Sequence, residues 1–438
     1  MSETKPVSRA SERMTRAMAP LISPASRPYV LYAVSKIGPG LIMFAAVPIW
    51  TRAFGAEQYG LYSVCWVATL LSSAFFTGWL RQAVLRHAGD PNFDLNVLPL
   101  WVMPTCALIG VLPVIVIVWI ESAAHTSADV VGLVLTSALF ACLNSYYTVA
   151  QTRSQRHDHV GRFASAELVR IGAALGLSLT GTFLFGQQGS VSIVGAYCVG
   201  TAIGLAILVR GFPKKKLVVV RTPHVLGTFW SYGWPMTLWL AVSSMLLYSD
   251  RLIIGILLDA KAVGTYGSIS DLVVRGIGML TFPLTMKAHP ALMRMWNSGD
   301  RSRALLLSKR YMKYTVVLCG VCVALGAMTG SRILEQLLGV DIESPLIVPA
   351  LLAGAALSQV GLMSHKPLEM ADRTRTMLVT LLSITALSVT ANVVLIPHLG
   401  LVAPALVFFT GSACYVIATL YLSTRVQALT SPQKGEQS

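Results

Sequence analysis

The chain has 438 residues, 54% of them hydrophobic and only 12% charged, with a mean hydropathy of +0.65. Soluble domains carry roughly 25% charged residues, so this composition points to a bilayer as the solvent. A span needs about 20 apolar residues, and a dozen spans leave no length for a soluble catalytic domain. The net charge of +15 would suggest nucleic acid in a soluble protein; here its distribution follows loop sidedness instead, and no nucleic-acid partner is expected.

Residues 1–28 form a basic tail with Lys5, Arg9, Arg13, Arg16 and Arg27. No apolar core precedes a cleavage site, so the tail does not read as a secretory signal. Its stretch Ser11–Met18 is amphipathic and suits the anionic cytoplasmic leaflet, or a disordered basic tail. Six spans are predicted near 29–52, 59–80, 97–120, 129–150, 165–185 and 190–209, giving an N-terminal lobe over 29–209. A basic cytoplasmic linker follows at 210–229. Six further spans near 230–258, 262–284, 311–330, 344–364, 376–396 and 400–423 give a C-terminal lobe over 230–423, and 424–438 form a second cytoplasmic tail. The connection 285–313 alternates apolar and basic residues (ALMRMW, then RALLLSKRY) and predicts a surface helix on the cytoplasmic face.

With the N-tail inside, 27 of the 34 Lys and Arg residues fall on the cytoplasmic side. Only Arg52, Lys261 and Arg332 fall outside, and Lys36, Arg170, Arg251 and Arg275 fall within spans. That split orients both termini to the cytoplasm of a cell inner membrane. The seven cysteines all lie in apolar segments, and Cys319-x-x-Cys322 reads as small apolar filler rather than a zinc or redox pair. The RHDH run at 156–159 reads as a solvated loop, since a metal would need a further ligand. No metal or cofactor is expected. No phosphate-cradling glycine loop occurs, which argues against direct ATP hydrolysis.

The two halves carry an internal echo. Ala56-Glu57-Gln58-Tyr59-Gly60-Leu61-Tyr62 returns in outline as Ala260-Lys261-Ala262-Val263-Gly264-Thr265-Tyr266, each at the junction between the first and second span of its half. Halves with an even number of spans repeat about an axis along the membrane normal, and transporters built this way place substrate between the repeats.

Charged side chains inside a membrane cost roughly 2.5–3.5 kcal/mol at the centre and usually face a wet cavity or a partner. Asp271 and Arg275 are four apart on one helix face; they read either as a structural ion pair or as a lumen site. Asp250 and Arg251 are adjacent and point about 100° apart, so at least one needs a partner elsewhere. Lys36 lies about 12 Å into the first span and either snorkels or faces a lumen. Glu167 and Arg170 read as interfacial. Gly38-Pro39-Gly40 interrupts the first span and Gly233-Trp234-Pro235 opens the seventh, marking candidate hinges or lumen-lining breaks.

Four segments resemble a known family. TRAFGAEQYGLYS at 51–63, SDRLIIGILLDAKAVGTYGS at 249–268, FPLTMKAHPALMRMW at 282–296 and ANVVLIPHLGLVAPAL at 391–406 are similar, in order, to corresponding junctions of polysaccharide flippases. These are the Wzx-like branch of the multidrug/oligosaccharidyl-lipid/polysaccharide exporter (MOP) superfamily. The resemblance implies an all-α membrane protein of two six-helix lobes in the V shape of MATE transporters, with a central lumen. It also implies a polyprenyl-pyrophosphate-linked oligosaccharide as substrate, membrane lipid as surroundings, and a polysaccharide polymerase and chain-length regulator as partners. Lys36, Arg251 and Arg275 are then candidates for the anionic head group, and Asp250 and Asp271 for ion coupling or structural pairing. Two other readings are an organic-cation exporter of the same superfamily, which calls for an acidic lumen, and a membrane-embedded polymerase or ligase, which calls for a large exterior loop.

Overall fold

A computed structural model describes residues 27–86, 101–123, 130–156, 160–186, 189–210 and 223–430. The amphipathic stretch Ser11–Met18, most of the 210–229 linker, His157–His159 and the C-terminal tail beyond Thr430 lie outside the described residues. The described residues form helices and no strand. In chain order these are α1 (Arg27–Arg86), α2 (Val102–Ala123), α3 (Val130–Arg156), α4 (Val160–Phe185), α5 (Gly189–Val209), α6 (Pro223–Leu257), α7 (Ala260–Asn297), α8 (Arg301–Leu338), α9 (Ile347–Ser364), the short α10 (Lys366–Met370), α11 (Thr374–Leu399) and α12 (Val402–Thr430). Eleven are long and apolar enough to cross a membrane.

The first of these carries two predicted spans in one run. At 1.5 Å per residue its apolar stretch Ile37–Leu85 is more than twice the length that a ~30 Å hydrocarbon core requires. The chain reverses at Gly55, whose φ of 84° and ψ of 163° are non-helical and suit a residue without a side chain. Other stops follow the same chemistry. Asp259 caps α7 by accepting from the Ala262 N–H at 2.6 Å, and Gly339 ends α8 in the left-handed region at φ 68°.

Three sequence expectations are corrected. Residues 285–313 form no separate surface helix: α7 continues through Pro283 and Pro290 to Asn297, and α8 begins at Arg301. Between them Gly299 turns the chain at φ 89°, and Asp300 caps α8 by accepting from the Arg303 N–H. The apolar positions of that segment pack inward, with Ala288, Leu292 and Ala304 buried against Met363 and Met370. The first span is not interrupted at Gly38-Pro39-Gly40 either, since α1 is helical across it. The glycines serve close approach instead. A methyl on Gly38 would press on Leu168 at 3.3 Å, and one on Gly40 on the Met279 sulfur at 3.2 Å. Pro235 likewise lies within α6, twelve residues after its start at Pro223, and does not open it.

Packing differs between the two ends of the bundle. The large core runs through Met43–Trp50, Tyr59–Ala68, Val114, Val118, Ile193–Cys198, Tyr266–Ile277 and Ile347–Ala356. Most of these residues belong to the half of each span that the charge pattern assigns to the exterior, and the cluster reaches mid-span at Ile277 and Ala356. Toward the predicted cytoplasmic end the core breaks into small clusters, such as Tyr147 with Ala166 and Leu208, or Leu368 with Met377.

At the tightly packed end the two echo segments meet. A methyl on Gly60 would collide with the Ala260 carbonyl oxygen, and one on Gly264 with the Ala56 carbonyl oxygen. The contact is reciprocal, as a two-fold relation between similar surfaces requires. Small residues four apart let the backbones touch, the usual means of close helix contact in membranes.

Candidate functional site

Where the large core ends, a cavity of about 250 Å³ opens. Trp66, Thr69, Ser73 and Arg81 of α1 line one wall, Asn144, Thr148 and Gln151 of α3 and Glu167 and Arg170 of α4 another, and Leu240 and Ser244 of α6 close it from the C-terminal half. The polar groups are organised. Arg170 donates to Asn144 Oδ1 and to Glu167 Oε1, each at 3.2 Å, and lies 4.6 Å over the Tyr147 ring. Glu167 Oε2 accepts from the Tyr147 hydroxyl at 2.6 Å and the Gln151 amide at 3.0 Å. Arg81 Nε reaches Thr152 Oγ1 at 3.4 Å. Arg170 Nε is buried without a partner, while the guanidinium as a whole lies at the cavity wall.

Above this cavity Asp271 of α7 ties the halves together. It accepts from the Tyr59 hydroxyl of α1 at 2.6 Å, from Arg251 Nη2 of α6 at 2.9 Å, and from Arg275 Nη2 at 3.3 Å. Arg251 Nη1 donates in turn to Ser63 Oγ of α1 at 3.0 Å. The i, i+4 pairing of Asp271 with Arg275 is thus present. Arg251 is only 1% exposed and its contacts run within the protein, so in this conformation it offers nothing to a head group. Arg275 is different: its side chain is 23% exposed and its guanidinium sits 5.6 Å from the ring of Trp66, which lines the cavity.

Asp250 turns away from this cluster. It accepts from the Tyr266 hydroxyl at 2.7 Å and from the Arg251 N–H at 2.8 Å, so the adjacent Asp250 and Arg251 do take separate partners. Lys36 lies on α1, in the stretch whose side chains are outside the described residues.

Sequence reasoning placed Glu167 and Arg170 at the interface with water and Arg81 in a loop; all three line the cavity. Their signal was available, since a carboxylate and a guanidinium three apart share a helix face. What was missing was which face α4 turns inward. A second cavity of about 530 Å³ lies within the C-terminal half, lined by Pro235, Trp239, His365, Lys366, Glu369 and Arg375 among others. Lys366 bridges His289 Nδ1 at 3.0 Å and Glu369 Oε2 at 2.5 Å, although its position read as a cytoplasmic loop.

Residues 29–296 match the family described as polysaccharide biosynthesis protein, which is more than half of the chain. The chain belongs to that family. No curated protein matches it. Among solved structures it is similar to the lipid II flippase MurJ in an inward closed conformation, at 12% identity and a TM-score of 0.73, covering 90% of this chain and 87% of that one. It is also similar to a multidrug resistance MATE family transporter of the MOP superfamily in its inward-facing conformation, at 14% identity and a TM-score of 0.69, over 91% and 100% of the two chains. Against an outward-facing conformation of such a transporter the TM-score is 0.62 at 13% identity, over 92% and 96%. At these identities the likeness gives the fold: the polysaccharide biosynthesis protein has the architecture shared by MATE transporters and MurJ.

Proposed function

We propose that this protein flips a polyprenyl-pyrophosphate-linked oligosaccharide from the cytoplasmic to the outer leaflet of a cell inner membrane, by alternating access of its two halves. One observation carries the reading: a cavity with arginines at its wall lies between the halves and runs from mid-span toward the end that the charge pattern assigns to the cytoplasm, beneath a packed seal. Arg81, Arg170 and Arg275 stand at or beside that cavity against Glu167 and Asp271. Guanidinium groups bind phosphate oxygens in pairs of hydrogen bonds and retain their charge when partly dehydrated. The amides of Asn144 and Gln151, the hydroxyls of Thr69 and Ser73 and the ring of Trp66 supply the mixed polar and aromatic surface that a sugar needs. The family assignment supports a role in polysaccharide synthesis.

In this mechanism the pyrophosphate enters from the cytoplasmic leaflet and meets Arg170 and Arg275 while the polyprenyl chain stays in lipid. Parting of the outer seal then exposes the head group to the exterior. An ion gradient, the membrane potential or removal of product drives the cycle, and the protein is a carrier rather than an enzyme. An organic-cation exporter would need the opposite polarity in this cavity, so the three arginines weigh against that reading.

The test is flipping of a labelled lipid-linked sugar in proteoliposomes. An Arg170→Gln, Arg275→Gln double variant that folds normally should flip at least tenfold more slowly, about 1.4 kcal/mol of lost binding or transition-state stabilisation. Undiminished flipping removes the cationic site.

A further inference from the structure

Glu121 is a carboxylate in the outer end of α2 that the mechanism above leaves unused. It is 3% exposed, and among the described residues it is the buried carboxylate whose Oε1 has no hydrogen-bond partner. Its place is the boundary between the halves. The carboxylate rests on α6 at Gly255, where a methyl group would overlap both of its oxygens. The glycine is what lets α2 and α6 close at this end.

Among the described residues no cation is paired with it: Arg52, at the outer end of α1, donates instead to the Leu337 and Gln336 carbonyls of α8. The helices packed on α2 are α1, α3 and α6. From α1 the Cys65 thiol stands within electrostatic reach. α3 has no charged side chain before Arg153. On α6 the nearest charged residues are Asp250 and Arg251, already held by Tyr266 and by Asp271. His125 and Asp129, which follow in sequence, lie outside the described residues. A buried ionised carboxylate without a cation partner is far costlier than a neutral one. The closed outer end therefore favours a proton on Glu121.

We propose that Glu121 is a proton-binding site that holds the outer seal shut. With the seal closed the carboxyl is neutral and packs on the α6 backbone. When the halves part, Glu121 meets external water, its O–H bond breaks, and the proton passes to that water. Closing takes a proton back from the same side, so this residue carries no net proton across the membrane. It makes the gate sensitive to external pH instead, and this role is separate from the candidates Asp250 and Asp271. The inference rests on the alternating-access reading only in taking the halves to part at this end, and not on the identity of the cargo.

The closed state holds one more proton than the open one, so acid outside favours closure. Linkage of one proton changes the closed-to-open ratio by about tenfold per pH unit within the titration range. The experiment places spin labels at Ala53→Cys and Lys261→Cys, both exposed at the outer end of opposite halves, in the full chain with its seven native cysteines replaced. Distances are recorded in proteoliposomes as external pH is varied. The population at short distance should grow at low pH, Glu121→Gln should keep that population dominant at every pH, and Glu121→Asp should restore the dependence. A wild-type distance that ignores pH, or a dependence that survives in Glu121→Gln, overturns the proposal. Infrared difference spectra of the unsubstituted chain give an independent readout. A protonated-carboxyl band lost on opening supports the site, and its absence from the closed state overturns it. Lobe separation is read here without substrate, so a failure of this site is distinguishable from a failure of the flipping hypothesis.

Discussion

Arg251 and Arg275 both reach Asp271, yet their surroundings assign them different work. Arg251 is buried with hydrogen bonds to Asp271 and Ser63, so removing the carboxylate strands a charge in the interior. Breaking one side of such a pair costs about 3–5 kcal/mol. Asp271→Asn should therefore lower thermal stability in detergent by that order and reduce the yield of folded protein. Arg275 has nearly a quarter of its side chain exposed, where screening leaves an ion pair worth about 0–1 kcal/mol. Arg275→Gln should leave the melting temperature within a few degrees of wild type while slowing flipping. Equal losses of stability in the two variants would contradict this division. Half of the arrangement was legible in the sequence, because Asp271 and Arg275 share a face by spacing alone. The other half was not: Arg251 meets Asp271 from a different helix, and spacing within one helix says nothing about its neighbours.

Among the helices, the contact that joins the halves at the packed end is made by backbone, not by side chains. Replacing glycine by alanine within a helix ordinarily stabilises it by roughly 0.5–1 kcal/mol. At Gly264 the added methyl collides with the Ala56 carbonyl oxygen, which belongs to backbone and cannot swing aside. Overpacking of this kind costs about 1–3 kcal/mol, so Gly264→Ala should destabilise the closed form despite its better helix propensity. Gly161, where a methyl meets nothing within 4 Å, is the matched control in α4 and should tolerate alanine. The readout is labelling of a cysteine placed near the seal by an impermeant maleimide: faster in Gly264→Ala, unchanged in Gly161→Ala. The echo of Ala56 and Gly60 in Ala260 and Gly264 was visible as a repeat, but that the copies touch each other follows only from the fold. Proline and glycine misled in the first and seventh predicted spans. Proline breaks helices in water, whereas neighbouring helices in a membrane protein supply the missing contacts, so α1 and α6 run on through Pro39 and Pro235.

For the molecule as a whole, hydropathy and the placement of lysine and arginine read well because the bilayer imposes them on every segment independently. Lumen-facing residues read poorly because they depend on rotation of each helix about its axis. Glu167, Arg170 and Arg81 all sit near the ends of predicted spans, where a charge needs no special explanation, and the fold turns them onto one cavity. With the core continuous at one end and divided at the other, transport requires the packed end to separate while the divided end closes. Tethering the halves across the packed end should then stop flipping without touching the cavity. A cleavable cross-linker between Ala53→Cys and Lys261→Cys is expected to abolish transport of labelled lipid-linked sugar, and cleavage to restore it. The tethered protein should still bind the substrate from the cytoplasmic side, since Arg170 and Arg275 are unaltered. A tether joining two positions within one half should leave transport intact. Full transport with the cross-half tether in place would mean that the head group crosses without the outer seal opening, and the rocking mechanism would have to be given up.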